Sequence, residues 1–98
     1  MKYEFTIIVP VYNEAENLKR VEKELTNYIK IATKKTNVLF VNDGSSDESQ
    51  QIIETICINN PNFSFIQFQK NCGLSAAITA GFKNVDTKLV GYIDSDLQ

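Results

Sequence analysis

Residues 5–14 read FTIIVPVYNE, and this segment predicts a strand followed by a helix. The run from Phe5 to Val11 is apolar and rich in β-branched residues, which favours a strand, and the polar residues after it end that strand. Apolar residues three and four apart then predict a helix, capped by Asn13 and Glu16. Its apolar positions are Leu18, Val21, Leu25, Tyr28, Ile29 and Ala32.

The same alternation of strand and helix recurs to the end of the chain. Ser45 and Glu48 have the spacing of a capping box at the start of a second helix, and a polar loop from Gln69 to Gly73 precedes a third. The further strands are predicted at 38–41, 63–68 and 89–93, and the further helices at 45–58 and 74–85. Strands that are apolar throughout are typical of parallel sheets covered on both faces. We therefore predict one α/β domain over residues 1–98: a three-layer α/β/α, mostly parallel, doubly wound Rossmann-like sheet in the order 3-2-1-4, truncated after the fourth strand.

Composition excludes several classes of function. The 98 residues carry a net charge of −2 without a basic stripe, so nucleic acid is not an expected partner. No apolar run approaches the roughly 20 residues of a membrane span, and no signal peptide opens the chain, so we expect a cytoplasmic location or the cytoplasmic face of a membrane. Histidine is absent, which excludes Ser-His-Asp chemistry and His-ligated metals within these residues. The two cysteines are expected to be reduced thiols.

Acidic residues follow three of the four predicted strands. In a doubly wound sheet, ligands bind beyond the carboxyl ends of the strands, which is where Glu14, Asp43, Asp94 and Asp96 fall. Carboxylates that converge favour a bound cation, and residues two apart in extended chain, such as Asp94 and Asp96, point to the same side. Because the ligands are all oxygen atoms, the pattern favours magnesium or manganese over zinc.

Four blocks of sequence together resemble family 2 glycosyltransferases in order and spacing. They are IIVPVYNE at 7–14, VNDGSSD at 41–47, Asn71-x-Gly73, and DSDLQ at 94–98. The final Asp-Leu-Gln is similar to the branch of dolichyl- and polyprenyl-phosphate sugar transferases. The resemblance implies a GT-A fold and an inverting, metal-dependent hexosyltransferase of cell-wall or polysaccharide biosynthesis. Its donor would be a UDP or GDP sugar, and its acceptor polyprenyl phosphate or a glycan.

The resemblance also implies roles for individual residues. Three of them would line the nucleoside pocket, with the glutamate near the ribose: Pro10, Tyr12 and Glu14. Asp43 would accept a hydrogen bond from the base, Asp94 would lie by the ribose and the metal, and Asp96 would coordinate Mn²⁺ or Mg²⁺. Lys70 stands where relatives often carry arginine, so it would neutralise phosphate without the bidentate fork.

The catalytic base of such an enzyme is expected beyond Gln98. We therefore expect the chain to bind a donor without transferring sugar, and to self-associate through exposed apolar surface. Three alternatives remain. A receiver-like Mg²⁺ module is one, although Asn13-Glu14 and Lys70 do not match its pattern. The others are a dinucleotide-binding domain, whose glycine fingerprint this sequence lacks, and a non-catalytic interaction module. A metal-dependent nucleotide titration would distinguish them.

Overall fold

Strands and helices alternate along residues 3–95, the part of the chain that the computed structural model describes. This alternation confirms the β-α-β-α-β-α-β order predicted from the sequence. The strands are β1 Phe5–Val11, β2 Thr36–Asn42, β3 Phe63–Gln67 and β4 Leu89–Tyr92. The helices are α1 Leu18–Ile31, α2 Ser49–Asn59 and α3 Leu74–Lys83. In the span described, none of these helices has the length and hydropathy needed to cross a bilayer.

All four strands are parallel and lie in the order β3-β2-β1-β4, as predicted. β1 pairs with β2 from Phe5 opposite Thr36 to Val11 opposite Asn42. On its other side β1 pairs with β4, where Phe5 lies opposite Leu89. The chain thus winds outward in one direction from β1 to β3 and crosses back to place β4 on the other side. This reversal creates a crevice at the carboxyl ends of β1 and β4, where doubly wound sheets bind ligands.

Helices cover both faces of the sheet. On one face, α1 and α2 pack on alternate residues of β1 and β2. The buried side chains there are Ile7, Val9, Val11, Val38, Phe40 and Phe63 of the sheet, with Leu18, Val21, Leu25, Ile53 and Ile56 of the helices. On the other face, α3 lies against Ile8, Leu39 and Val41. A Cβ atom added at Gly81 would come within 2.7 Å of the Ile8 Cγ2 atom, so a small residue there allows the predicted close packing of α3.

Both predicted helix caps are wrong. α1 begins at Leu18 with Asn17 at its N-cap position, and Asn13 instead lies in the left-handed region with φ of 53°. α2 begins at Ser49, so Ser45 and Glu48 form no capping box. The physical reason is tertiary: the Ser45 hydroxyl accepts a hydrogen bond from the Asn13 N–H, at 2.9 Å. Bonds between the two loops replace the local caps.

The edge strands β3 and β4 are more exposed than predicted, because strands that are apolar throughout are expected to be covered on both faces. In β3 only Phe63 is buried, while Phe65 keeps 39% of its surface exposed. In β4 both Leu89 and Tyr92 are exposed. Only β1 and β2, which have a strand on each side, are buried along almost their whole length.

The two cysteines are free thiols in different surroundings. Cys57 on α2 is half-buried, and burial raises the pKa of its thiol to about 11, because the charged thiolate is poorly solvated there. Cys72 is exposed in the loop after β3.

We therefore expect Cys57 in the folded chain to alkylate about a hundredfold more slowly than Cys57 in the urea-unfolded chain, because only the thiolate reacts. Its rate should rise with pH until the pH nears 11. Iodoacetamide labelling of a Cys72→Ser variant, followed by mass spectrometry, measures this rate alone. Equal rates in the folded and unfolded chains would show that α2 does not shield Cys57.

Candidate functional site

A cavity of about 410 Å³ lies at the carboxyl ends of the strands. Its volume is in the range that small-molecule sites occupy. Residues at or beyond the carboxyl ends of the four strands form its wall: Pro10, Val11, Tyr12, Glu14, Asp43, Asn71, Gly73, Leu74, Asp94 and Ser95. The parallel sheet thus brings together side chains that are far apart in the sequence.

Five of the predicted site residues meet in this cavity: Pro10, Tyr12, Glu14, Asp43 and Asp94. Two do not. Lys70 is not among the lining residues, because the loop after β3 faces the cavity through the residues that follow it. Asp96 lies outside the described residues.

The Asp43 carboxylate holds the loop after β3. Its Oδ1 atom accepts a hydrogen bond from the Cys72 N–H at 2.7 Å, and its Oδ2 atom accepts bonds from the Gly73 N–H and the Asn71 Nδ2, each at 3.0 Å. Asp43 is only 4% exposed, so these charge-assisted bonds are shielded from water. A carboxylate can accept about four hydrogen bonds, which leaves one acceptor position for a ligand.

The backbone after β2 also touches the backbone after β3. Gly44 has φ of 70°, and a Cβ atom at this position would lie 2.2 Å from the Lys70 carbonyl carbon. A side chain is therefore excluded on both conformational and steric grounds. Asp43 and Gly44 together fix the approach of the loop that leads into α3.

Sequence reasoning missed five of the lining residues: Val11, Asn71, Gly73, Leu74 and Ser95. Asn71 and Gly73 belonged to a quoted motif without an assigned role. The glycine at position 73 was the sequence signal that could have pointed to this loop. Gly73 has φ of 100°, which favours glycine, and its N–H donates a hydrogen bond to Asp43. The pairing of that loop with Asp43 is a contact between distant parts of the chain, which no local pattern contains.

The cavity is acidic, and its two remaining carboxylates differ in their freedom. Glu14 accepts a hydrogen bond from the Asn17 Nδ2 at 2.7 Å, which ties its side chain toward α1. Asp94 is exposed, and its carboxylate makes no hydrogen bond within residues 3–95. Asp94 is thus the carboxylate most available to a ligand.

The lining chemistry fits a hard divalent cation held jointly with a ligand. Residues 3–95 contain no group of three acidic, cysteine or histidine side chains close enough to enclose a metal ion. Magnesium does not require such a group, since it is usually held by one or two carboxylates together with substrate phosphates and water. The Asp94 carboxylate, exposed at the cavity, is a ligand of this kind.

The known sequences that resemble this chain are sugar transferases. The family model described as "Glycosyl transferase family 2" matches residues 6–98. "Putative glycosyltransferase CsbB" of Bacillus subtilis is 37% identical over 93 residues, which are 95% of this chain and 28% of the relative. "Undecaprenyl-phosphate 4-deoxy-4-formamido-L-arabinose transferase" of Yersinia pestis is 37% identical over 95 residues, 95% of this chain and 29% of the relative. The chain thus spans less than a third of the length of these relatives.

Solved structures share the fold. S. aureus TarS 1-349 in complex with UDP superposes with a TM-score of 0.82 at 26% identity, over 95% of this chain and 27% of TarS. The mannosyltransferase PcManGT from Pyrobaculum calidifontis, in complex with GDP-Man and Mn²⁺, gives a TM-score of 0.78 at 21% identity, over 98% of this chain and 28% of its own. These similarities confirm the predicted α/β fold of the GT-A type.

Proposed function

The chain belongs to glycosyl transferase family 2, and from this premise we propose that it forms the donor-binding part of an enzyme that transfers a sugar from a nucleoside diphosphate to polyprenyl phosphate. The observation that carries the proposal is the meeting of five predicted residues in one cavity of about 410 Å³: Pro10, Tyr12, Glu14, Asp43 and Asp94. A relative named as an undecaprenyl-phosphate transferase, 37% identical, supports the acceptor class. Family membership argues against the receiver-like and dinucleotide-binding alternatives.

In the proposed complex the nucleoside lies against the end of β1. Tyr12 and Glu14 line the cavity there, and Glu14 is suited to accept hydrogen bonds from ribose hydroxyls. Asp43 would accept an N–H of the base with the acceptor position that its three loop contacts leave open. TarS, which binds UDP and UDP-GlcNAc and is 26 to 28% identical to this chain, supports a pyrimidine diphosphate as one donor type.

The diphosphate would lie toward the end of β4, where Asp94 lines the cavity. Asp94, with Asp96, would hold Mg²⁺ or Mn²⁺ there, and when bound such an ion supplies Lewis-acid stabilisation of the negative charge on the leaving diphosphate. Three carboxylates around the cavity would otherwise repel the anionic donor. Lys70 does not line the cavity. Its proposed contact with phosphate therefore requires its side chain to reach into the cavity from outside the lining.

The proposed transfer is an inverting displacement. The acceptor oxygen attacks the anomeric carbon from the side opposite the diphosphate, and the bond to the diphosphate breaks. A phosphate acceptor is already anionic and needs no base, whereas a sugar hydroxyl would need one.

We expect the chain to bind UDP or GDP at least about tenfold more tightly with Mg²⁺ or Mn²⁺ than with EDTA. The reason is that a cation lets the acidic cavity accept a diphosphate. Isothermal calorimetry measures the difference, and Asp94→Asn and Asp96→Ala should each reduce it. Asp86→Asn, an exposed acidic residue outside the cavity lining, is the matched control.

The outcomes separate two parts of the proposal. Equal affinity with metal and with EDTA would contradict the role of Asp94 and Asp96. Absence of binding to either nucleotide under both conditions would contradict the donor site itself.

A further inference from the structure

The loops after β1 and β2 are joined by side-chain hydrogen bonds. We call residues 12–17 the β1 loop and residues 43–48 the β2 loop. The Asn13 side-chain oxygen accepts hydrogen bonds from the N–H groups of Ser46, at 2.8 Å, and Asp47, at 3.3 Å. In return, the Asn13 N–H donates to the Ser45 hydroxyl at 2.9 Å. One residue of the β1 loop is therefore bound to three consecutive residues of the β2 loop.

Two further bonds connect the residues that follow Asn13. The Ala15 N–H donates to the Asp47 carboxylate at 3.2 Å, and the Glu14 N–H donates to the Ser49 hydroxyl at 3.1 Å. Asp47 is exposed; its slight desolvation opposes ionisation, but hydrogen bonds from Ser49 and Ala15 outweigh this effect and hold the pKa of Asp47 below its ordinary value. Asp47 is thus a charged acceptor at neutral pH, and charged acceptors form the stronger hydrogen bonds.

The backbone of Asn13 has the form that this arrangement needs. Its φ of 53° is uncommon outside glycine, and asparagine is one of the few residues that adopt it. The turn directs the Asn13 side chain to the β2 loop, while the residues on either side of it, Tyr12 and Glu14, line the cavity. A residue held in this region of φ normally has several contacts that maintain it.

We infer that Asn13 is a positioning residue: by binding the β2 loop, it fixes Tyr12 and Glu14 in the nucleotide cavity. The inference rests on the proposed function, because the placement of Tyr12 and Glu14 matters only if the cavity binds a nucleotide. It also assigns a role to the Ser45-Ser46-Asp47 segment, which does not line the cavity itself.

The test compares Asn13→Gly with wild type. Glycine adopts the same φ without strain and removes only the side-chain acceptor, so the variant is expected to fold. In the nucleotide-free chain, amide hydrogen exchange read by NMR should become faster at Ser46, Asp47 and Ala15, while amides of β2 keep their protection. Affinity for UDP or GDP, by calorimetry with Mg²⁺, should fall about tenfold.

Two further variants make the result specific. Asn13→Asp keeps the acceptor oxygen and tolerates the same φ, so it should restore most of the protection and affinity. Asn59→Ala changes an exposed asparagine on α2, away from both loops, and should match wild type.

Each outcome decides a separate question. Unchanged exchange at Ser46, Asp47 and Ala15 in Asn13→Gly would overturn the inference, as would faster exchange with unchanged nucleotide affinity. A wild-type chain that binds neither nucleotide would overturn the proposed function, and with it the positioning role.

Discussion

Gly44→Ala is expected to lower the free energy of unfolding by about 3 kcal/mol or more. The left-handed backbone, with φ of 70°, costs an alanine about 1–2 kcal/mol. The new methyl group would also lie 2.2 Å from the Lys70 carbonyl carbon and 2.4 Å from the Asn71 nitrogen, and overpacking of this kind costs about 1–3 kcal/mol. Both obstacles are backbone atoms, which cannot move aside as a side-chain tip can. Urea denaturation measures the loss.

Two other glycines serve as controls for Gly44. Gly73→Ala adds a methyl group with no atom within 4 Å, so it tests backbone strain at φ of 100° without a clash. Gly91→Ala meets only the Phe5 ring, at 3.3 Å, and should change stability by less than about 1 kcal/mol. A Gly44→Ala chain as stable as Gly91→Ala would show that the loops after β2 and β3 do not remain in contact.

Asp43→Ala is expected to reduce stability by about 2–3 kcal/mol, because it leaves the N–H groups of Cys72 and Gly73 without their charged acceptor. Nucleotide affinity should also fall, by roughly 1–3 kcal/mol, while the metal dependence persists. Denaturation and calorimetry measure the two effects, and amide exchange at Cys72 and Gly73 reports the loop directly.

The control for Asp43 is Asn71→Ala, which removes one donor to the carboxylate and leaves the carboxylate in place. If Asp43 touches the base, Asp43→Ala should weaken binding far more than Asn71→Ala. Equal losses in the two variants would mean that Asp43 acts on the nucleotide only through the loop. Unchanged exchange at Cys72 and Gly73 in Asp43→Ala would contradict the anchoring role.

The fold was predictable because its signals are local and repeat. Each strand is an apolar run that ends at polar residues, and the 3.6-residue period marks each helix between them. Parallel strands joined by helices then restrict the topology, which is why the order 3-2-1-4 agreed with the structure. The same reasoning located Glu14, Asp43 and Asp94 at one edge of the sheet, since each lies in the loop that follows a strand.

Contacts between loops were not predictable in this way. Local rules assign Asn13 and Ser45 to helix caps, yet in the structure they bind each other, because the parallel pairing of β1 and β2 brings their loops together. Asp43 likewise takes its partners from residues 71–73. Such bonds depend on the register of distant strands, so capping propensities carry no information about them.

The pairing of β4 with β1 sets an order of events during synthesis. Phe5 leaves the ribosome long before its partner Leu89. The unit from β1 to β3, with α1 and α2, joins neighbouring stretches of chain and can assemble while translation continues. β4 must then dock on a strand made long before, a non-local step of the kind that slows folding. Asp94, which follows β4, is therefore the last of the cavity carboxylates to reach its place.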